Sequence, residues 1–376
     1  MKIFILFSII TLACGFLVSN AKSLPYEAIF NFGDSISDTG NAASLHKSPP
    51  GDDNGKNPYG STYFKHPSGR MSDGRLIIDF IAKAYGLPFL PAYLNLTEGQ
   101  NFTQGVNFAY VGATALDMEY FIRKGINSVT PDEKSLSVQL DWFKKLKPSF
   151  CKTKEECDNC FKRSLFLVGE IGGNDVIAHM VANKNIPQLR EIVPLIVEAI
   201  TNTTTALIEE GAVELVVPGN FPIGCNSAVL TVKKSDNKDD HDEFGCLKSY
   251  NTLAQYYNEQ LKQAIETLRK KNPQAKIIYF DYFNDAKRLF QAPHQYGFSA
   301  DKNETFKACC GAGGPFNFLP NINCGEPRST VCSEPSNRIN WDGLHYTEAA
   351  YRQIAKGLLE GPFAYPPLKS PPFKIA

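Results

Sequence analysis

A serine at the end of an apolar run is the first residue of this chain whose placement suggests chemistry. Ala28-Ile29-Phe30 reads as a strand that passes through Asn31-Phe32 into the turn Gly33-Asp34-Ser35-Ile36-Ser37-Asp38-Thr39-Gly40-Asn41. A turn at a strand end holds Ser35 rigidly, with its hydroxyl out of the sheet and its backbone N–H free to donate. Both suit a nucleophile that must also stabilise the oxyanion it creates. Far downstream, Trp341-Asp342-Gly343-Leu344-His345 precedes a helix expected over 347–359. At a spacing of three, Asp342 can accept from one ring nitrogen of His345 and set its tautomer. The other nitrogen is then left basic toward Ser35. The chain has only six histidines, so candidates for a base are few.

Two further segments supply oxyanion donors. In Leu165-Phe166-Leu167-Val168-Gly169-Glu170-Ile171-Gly172-Gly173-Asn174-Asp175 a short apolar strand stops at two glycines and then an asparagine, whose amide is a good donor. In Val106-Asn107-Phe108-Ala109-Tyr110-Val111-Gly112-Ala113 the small-residue turn offers the Gly112 N–H. Taken singly, each segment also reads as an ordinary turn, with Asn174 or Asp175 as a helix N-cap. Their conjunction is what points to acyl transfer. Asp38, inside the nucleophile turn, reads as structural. Glu170 reads as a solvated or structural carboxylate, with attraction of a cationic amine as the alternative.

These four segments, in this order, resemble the blocks of the GDSL esterase/lipase family within the SGNH hydrolases. Supporting stretches are Gly74-Arg75-Leu76-Ile77-Ile78-Asp79-Phe80, Phe221-Pro222-Ile223-Gly224-Cys225 and Cys309-Cys310-Gly311. The whole mature chain resembles the plant branch, and within it the subgroup that contains acetylajmalan esterase and sinapine esterase. The resemblance implies Ser35 as nucleophile, His345 as general base and Asp342 as its orienter. It also implies an oxyanion hole from Ser35 N–H, Gly112 N–H and the Asn174 side chain. No cofactor and no metal are implied. The substrate expected by analogy is a small specialised-metabolite ester (acetyl, choline or phenolic). An acyltransferase using the same acyl-enzyme is the first alternative. A non-catalytic secreted binding protein on the same scaffold is the second, and the intact Ser35, Asp342 and His345 weigh against it.

The elements that must position these residues follow from hydropathy. Strands are expected at 27–32, 164–169, 213–218 and 276–280, and helices at 74–85, 135–146, 187–210, 247–271 and 347–359, with Gly211 stopping the third. Strands alternating with helices predict an α/β fold with a mainly parallel central sheet covered on both faces. The resemblance makes this a three-layer α/β/α sandwich of the flavodoxin-like kind. Ser35 and Asn174 then fall at the C-terminal edges of strands, where such sheets bind ligands. No linker marks a boundary, so residues 22–376 read as one domain with long insertions near 44–72 and 297–340 forming pocket walls. No Gly-x-Ser-x-Gly elbow, P-loop, Gly-x-Gly-x-x-Gly or His-Glu-x-x-His occurs.

Composition narrows the partners and compartment. Thirty-nine basic and 39 acidic residues leave a formal net charge of zero, which provides no field for nucleic acid or an anionic membrane. Met1-Lys2, the apolar run Ile3 to Val18 and Ser19-Asn20-Ala21 describe a signal peptide over 1–21, cleaved before Lys22. No other segment reads as a membrane span, and the mature protein is expected to be a soluble monomer, extracellular or vacuolar. Nine of ten cysteines remain after cleavage, which predicts up to four disulfides and one thiol. Spacing does not set the pairing, although local closure of Cys225 with Cys246 is one option and Cys157-x-x-Cys160 reads as a disulfide. Sequons at Asn95, Asn101, Asn202 and Asn303 predict a glycoprotein.

Overall fold

Short runs of β-branched and aromatic residues, buried on both faces, build the centre of the molecule. The computed structural model describes residues 24–45, 57–127 and 134–375, without the side chains of Lys302 and Asn303; the expected signal peptide lies outside these. The strands are β1 (Ala28–Phe32), β2 (Gly105–Asn107), β3 (Ser164–Val168), β4 (Glu214–Pro218) and β5 (Lys276–Phe280). A two-residue ribbon, β6 (Cys310–Gly311) with β7 (Thr330–Val331), stands apart, and β8 (Ala364–Tyr365) closes one edge. The main sheet runs β2-β1-β3-β4-β5-β8. Its first five strands are parallel, in a register that sets Phe30 beside Val106 and Phe166, Phe166 beside Leu215, and Leu215 beside Ile277. Only β8 is antiparallel, with Tyr365 opposite Tyr279. A parallel sheet needs cover on both faces, which explains why β1, β3 and β4 are buried at every residue.

Helices Leu136–Leu146, Ile186–Glu209 and Lys248–Lys271 form one packed group, and Ile77–Ala84, Tyr282–Gln291 and Glu348–Glu360 form another. All five expected helices are present within three residues of the expected ends. Asn185 caps Ile186–Glu209 by accepting from Gln188 N, and Gly211 follows its last turn at φ +110°. Ile186–Glu209 is long and apolar enough to cross a bilayer, contrary to the expectation that no segment beyond the N-terminus is. Here Leu189, Val193, Ile196 and Ile200 are buried in the packed interior, the pattern of a core helix. In the last helix Tyr351, Ile354 and Leu358 form the expected buried face.

Phe30 shows how the core is filled. It stacks on Phe166 at 4.9 Å and meets Phe143, Phe150 and Phe161 edge-on at 5.0 to 5.6 Å between ring centroids. Burying one such ring is worth about 1.5–3 kcal/mol, with up to ~1.5 kcal/mol more for each well-placed aromatic pair. This cluster sits directly under the strand that delivers Ser35.

Candidate active site

Ser35 leaves β1 in a turn whose shape is set by its neighbours' polar groups. Gly33, at φ +153°, leaves no room for a side chain: a Cβ there would lie 2.8 Å from the Glu170 carbonyl oxygen and from Ser37 Oγ. The Gln139 amide brackets this glycine, accepting from Gly33 N at 2.9 Å and donating to Gly33 O at 2.8 Å. Asp34 Oδ1 accepts from Ile36 N at 2.9 Å. Asn31, buried within β1, donates to Ser37 Oγ and Asn107 Oδ1, while Asn107 Nδ2 donates to Ser37 O at 2.6 Å. A strand otherwise made of apolar residues thus carries one amide whose work is to fix the turn.

Buried carboxylates tie the three functional loops together. Asp38 accepts from Gly40, Asn41 and Ala42 N–H on its own loop and from Val111 N at 3.0 Å. That last bond registers the nucleophile turn against the turn carrying Gly112, which sits at φ +77°, a left-handed conformation that favours glycine. Asp175 accepts from Ala115 N and Leu116 N at 2.8 and 3.0 Å, and so binds the helix Gly173–Val181 to the same turn. The sequence reading of Asp38 as structural agrees with its contacts. Asp175 is a loop clamp and not the N-cap, a position that Gly172 holds.

The Asp342–His345 loop approaches from the other end of the chain. His345 Nε2 lies 2.7 Å from Ser35 Oγ, and Nδ1 lies 2.7 Å from Asp342 Oδ2 and 2.9 Å from Oδ1. Asp342 Oδ1 also accepts from the backbone N–H of Leu344 and His345, at 3.0 and 2.9 Å. All three side chains are buried. Burial alone would raise the Asp342 pKa, but the charge and hydrogen bonds of His345 and the Tyr59 hydroxyl bring it down to about 2. Burial pulls His345 down; Asp342 and, further off, Asp34 more than offset this, and its pKa stands above the ordinary value.

Asn174 and Gly112 face the same cavity as Ser35 and His345, so the structure brings all five expected site residues together. Among the described residues, neither Ser35 N–H nor Gly112 N–H has a hydrogen-bond partner, which leaves both able to donate to an oxyanion. Asn174 Nδ2 donates to Ala113 O at 2.9 Å and more weakly to Asp34 Oδ2 at 3.3 Å. The cavity, about 240 Å³, is walled mainly by apolar side chains, including Met71, Val176, Met180, Phe221 and Val229. Glu170 lines it as a buried carboxyl rather than a solvated one; burial, and then the Asp34 charge, push its pKa well up. Burial likewise raises Asp34 to about 7.

The two insertions divide their work differently from the expectation. Met71, from the first, lines the cavity, whereas no described residue of 297–340 does. The second insertion braces the His345 loop instead. Disulfides Cys309–Cys332 and Cys310–Cys324 staple it, and Cys309 N and Cys310 N donate to Asn340 O and Trp341 O. Cys225–Cys246 is the local closure foreseen as an option. Cys157 pairs with Cys151, not with Cys160, which remains a thiol. Both cysteines of the Cys-x-x-Cys pair lie on helix Lys154–Phe161, where Cys157 turns inward toward the preceding loop and Cys160 stays partly exposed.

Comparison with known proteins agrees with this architecture. Residues 29–358 match the family model for GDSL-like lipase/acylhydrolase. A GDSL esterase/lipase of Arabidopsis thaliana is 49% identical over 94% of this chain and 97% of its own length. Sinapine esterase of Brassica napus is 45% identical over 91% of this chain and 87% of its own. Among solved structures, a phospholipase A1 of Streptomyces albidoflavus is similar over 78% of this chain and 92% of its own, at 13% identity and a TM-score of 0.33, too distant to carry an argument. The chain belongs to the GDSL-like lipase/acylhydrolase family, among the plant GDSL esterase/lipases.

Proposed function

We propose that this protein is a secreted serine carboxylic-ester hydrolase that works through an acyl-enzyme on Ser35. The observation that carries the proposal is the unbroken hydrogen-bond chain from Ser35 Oγ through His345 to Asp342 at the wall of an apolar cavity. Ser35 Oγ attacks the ester carbonyl as His345 Nε2 takes its proton, and the oxyanion collects the N–H groups of Ser35 and Gly112 and the Asn174 amide. Collapse expels the alcohol, protonated by His345. Water, deprotonated by the same imidazole, then attacks the acyl-Ser35 carbonyl, and its proton returns to Ser35 as the acid leaves. The small, mostly apolar cavity and the relationship to an enzyme named sinapine esterase favour a small specialised-metabolite ester over a triglyceride. Four disulfides fit a secretory-pathway protein, as the N-terminal sequence does.

A serine-directed phosphonate is the direct test. Peptide mass analysis is expected to find one adduct, on Ser35, with activity lost in proportion; an adduct elsewhere with full inactivation overturns the assignment. Asn174→Ala, which removes one of three oxyanion donors, is expected to lower kcat about 10²–10³-fold while the other two donors sustain measurable turnover.

The pH profile follows from His345. The imidazole must be neutral to accept the Ser35 proton, and its pKa is raised above the usual 6.5. Activity is therefore expected to be full above that raised value and to fall on the acid side. Chelators are expected to leave the rate unchanged. Full activity well below pH 4 would remove His345 as the base.

A further inference from the structure

The carboxylate that orients His345 has a third partner from a distant part of the chain. Tyr59 Oη donates to Asp342 Oδ2 at 2.7 Å, onto the oxygen that also receives His345 Nδ1–H at 2.7 Å. The other oxygen, Oδ1, is held by two backbone N–H groups. His345 Nδ1 is within reach of both oxygens, so the imidazole alone does not fix the rotation of the carboxylate about its Cβ–Cγ bond. Backbone donors pin one end of the carboxylate and Tyr59 pins the other.

We propose that Tyr59 is a positioning residue of the ester-hydrolysing site, holding the Asp342 carboxylate in the rotation that aligns His345 with Ser35. The inference rests on the triad proposed above. Among the described residues, the Tyr59 hydroxyl hydrogen-bonds to Asp342 and not to Ser35 or His345, so it acts through the carboxylate.

The surroundings of Tyr59 fit that task. Its ring is buried, meets the Trp341 ring edge-on at 5.9 Å and packs in a small cluster with Cys309, Cys310, Cys324 and Trp341. Its backbone N–H donates to Asn57 Oδ1 at 2.9 Å. The next residues are fastened by Gly60 N to Ser72 O and Thr62 N to Asp73 O. The disulfide-stapled insertion that braces Trp341 thus also forms the socket for Tyr59. Burial, and then the nearby Asp342 charge, push the phenol pKa well up, so the hydroxyl remains a donor across any working pH.

Tyr59→Phe keeps the ring in its socket and removes only the donor. With one donor fewer, the Asp342 carboxylate becomes more basic and holds the imidazolium more strongly. The acid limb of the rate profile is therefore expected to move to higher pH. The other ionisable groups around His345 and Asp342, namely Asp34, Glu170, Tyr346 and Tyr351, are untouched by the substitution. Loss of a hydrogen bond to a charged group predicts a fall in kcat of about tenfold or more, with KM for p-nitrophenyl acetate little changed. In an Asp342→Asn background the same substitution is expected to cost nothing further, because the carboxylate it positions is gone. A merely structural residue would multiply its effect in both backgrounds and leave the acid limb in place.

The experiment compares wild type, Tyr59→Phe, Asp342→Asn and the double variant in full pH profiles, with Ser35→Ala as a separate control. Wild-type kcat and acid limb in Tyr59→Phe overturn the proposal, as does a full multiplicative loss in the double variant. Should the Phe variant fail to fold, Tyr59→Met, which fills the space without a donor, is read the same way. Activity surviving in Ser35→Ala overturns the triad itself, an outcome distinct from the failure of Tyr59.

Discussion

Ser35→Ala is expected to abolish ester hydrolysis while leaving the fold in place. The loss should be on the order of 10⁶-fold in kcat, the scale found when the nucleophile of a serine hydrolase is removed. Ser37, the next hydroxyl along the turn, receives the Asn31 amide and lies against Gly33, whereas Ser35 lines the cavity. The turn does not depend on the Ser35 hydroxyl for its shape. Gln139 brackets Gly33, Asp34 caps Ile36, and Asp38 clamps the residues that follow. Among the described residues, the only side-chain bond removed is the one to His345. Thermal melting is therefore expected to shift by a few degrees at most. His345→Ala should lose activity on the same scale, since Ser35 would have no base. A folded Ser35→Ala protein that hydrolyses p-nitrophenyl acetate at the wild-type rate would sink the assignment.

Much of this arrangement was legible because strand and helix leave strong periodic traces. β1, β3, β4 and β5 fall within one residue of their expected ends, since each is a short apolar run bounded by turn residues. β2 was not read as a strand: it has three residues, one of them Asn107, and gains its place by pairing with Ile29, Phe30 and Asn31. The antiparallel β8 escaped for the same reason, as two residues leave no pattern. Helix Tyr282–Gln291 mixes Asn, Asp, Lys and Arg with its apolar positions; its buried stripe of Tyr282, Phe283, Ala286, Leu289 and Phe290 becomes plain only once the sheet is in place.

The five candidate site residues could be picked out because each stands at a change of local structure: the end of a strand, a glycine turn, or the entrance to a helix. The residues that hold them could not. Gln139 reaches Gly33 across 106 positions, Asp175 reaches Ala115 across 60, and Tyr59 reaches Asp342 across 283. None of them differs, in its own neighbourhood, from an ordinary helix glutamine, capping aspartate or loop tyrosine. A polar residue inside an apolar run was the one available signal, and Asn31 in β1 carried it. The disulfides make the same point. Their number follows from counting cysteines, whereas the partner of Cys157 is decided by which way a helix presents it.

Asp342→Asn is expected to lower kcat about 10⁴-fold, and the two oxygens of Asp342 explain why so small a change costs so much. Oδ1 accepts two backbone N–H groups, from Leu344 and His345, so the carbonyl oxygen of an asparagine will take that position. Its NH₂ group is then left where Oδ2 stands, facing His345 Nδ1 and the Tyr59 hydroxyl. A donor facing Nδ1 obliges that nitrogen to accept, which moves the imidazole proton to Nε2. The imidazole then presents N–H to Ser35 Oγ where a lone pair is required. The lost charge also removes the chief influence that raises the His345 pKa against burial. Whatever activity survives is therefore expected to show its acid limb at lower pH than wild type, the opposite direction to Tyr59→Phe. Shape and volume are nearly unchanged, so the variant should fold and bind substrate with KM close to normal. Rate profiles across pH on the purified variant check both parts. A wild-type kcat would mean that His345 takes its tautomer from another group, and an unmoved acid limb would mean that Asp342 does not set its charge.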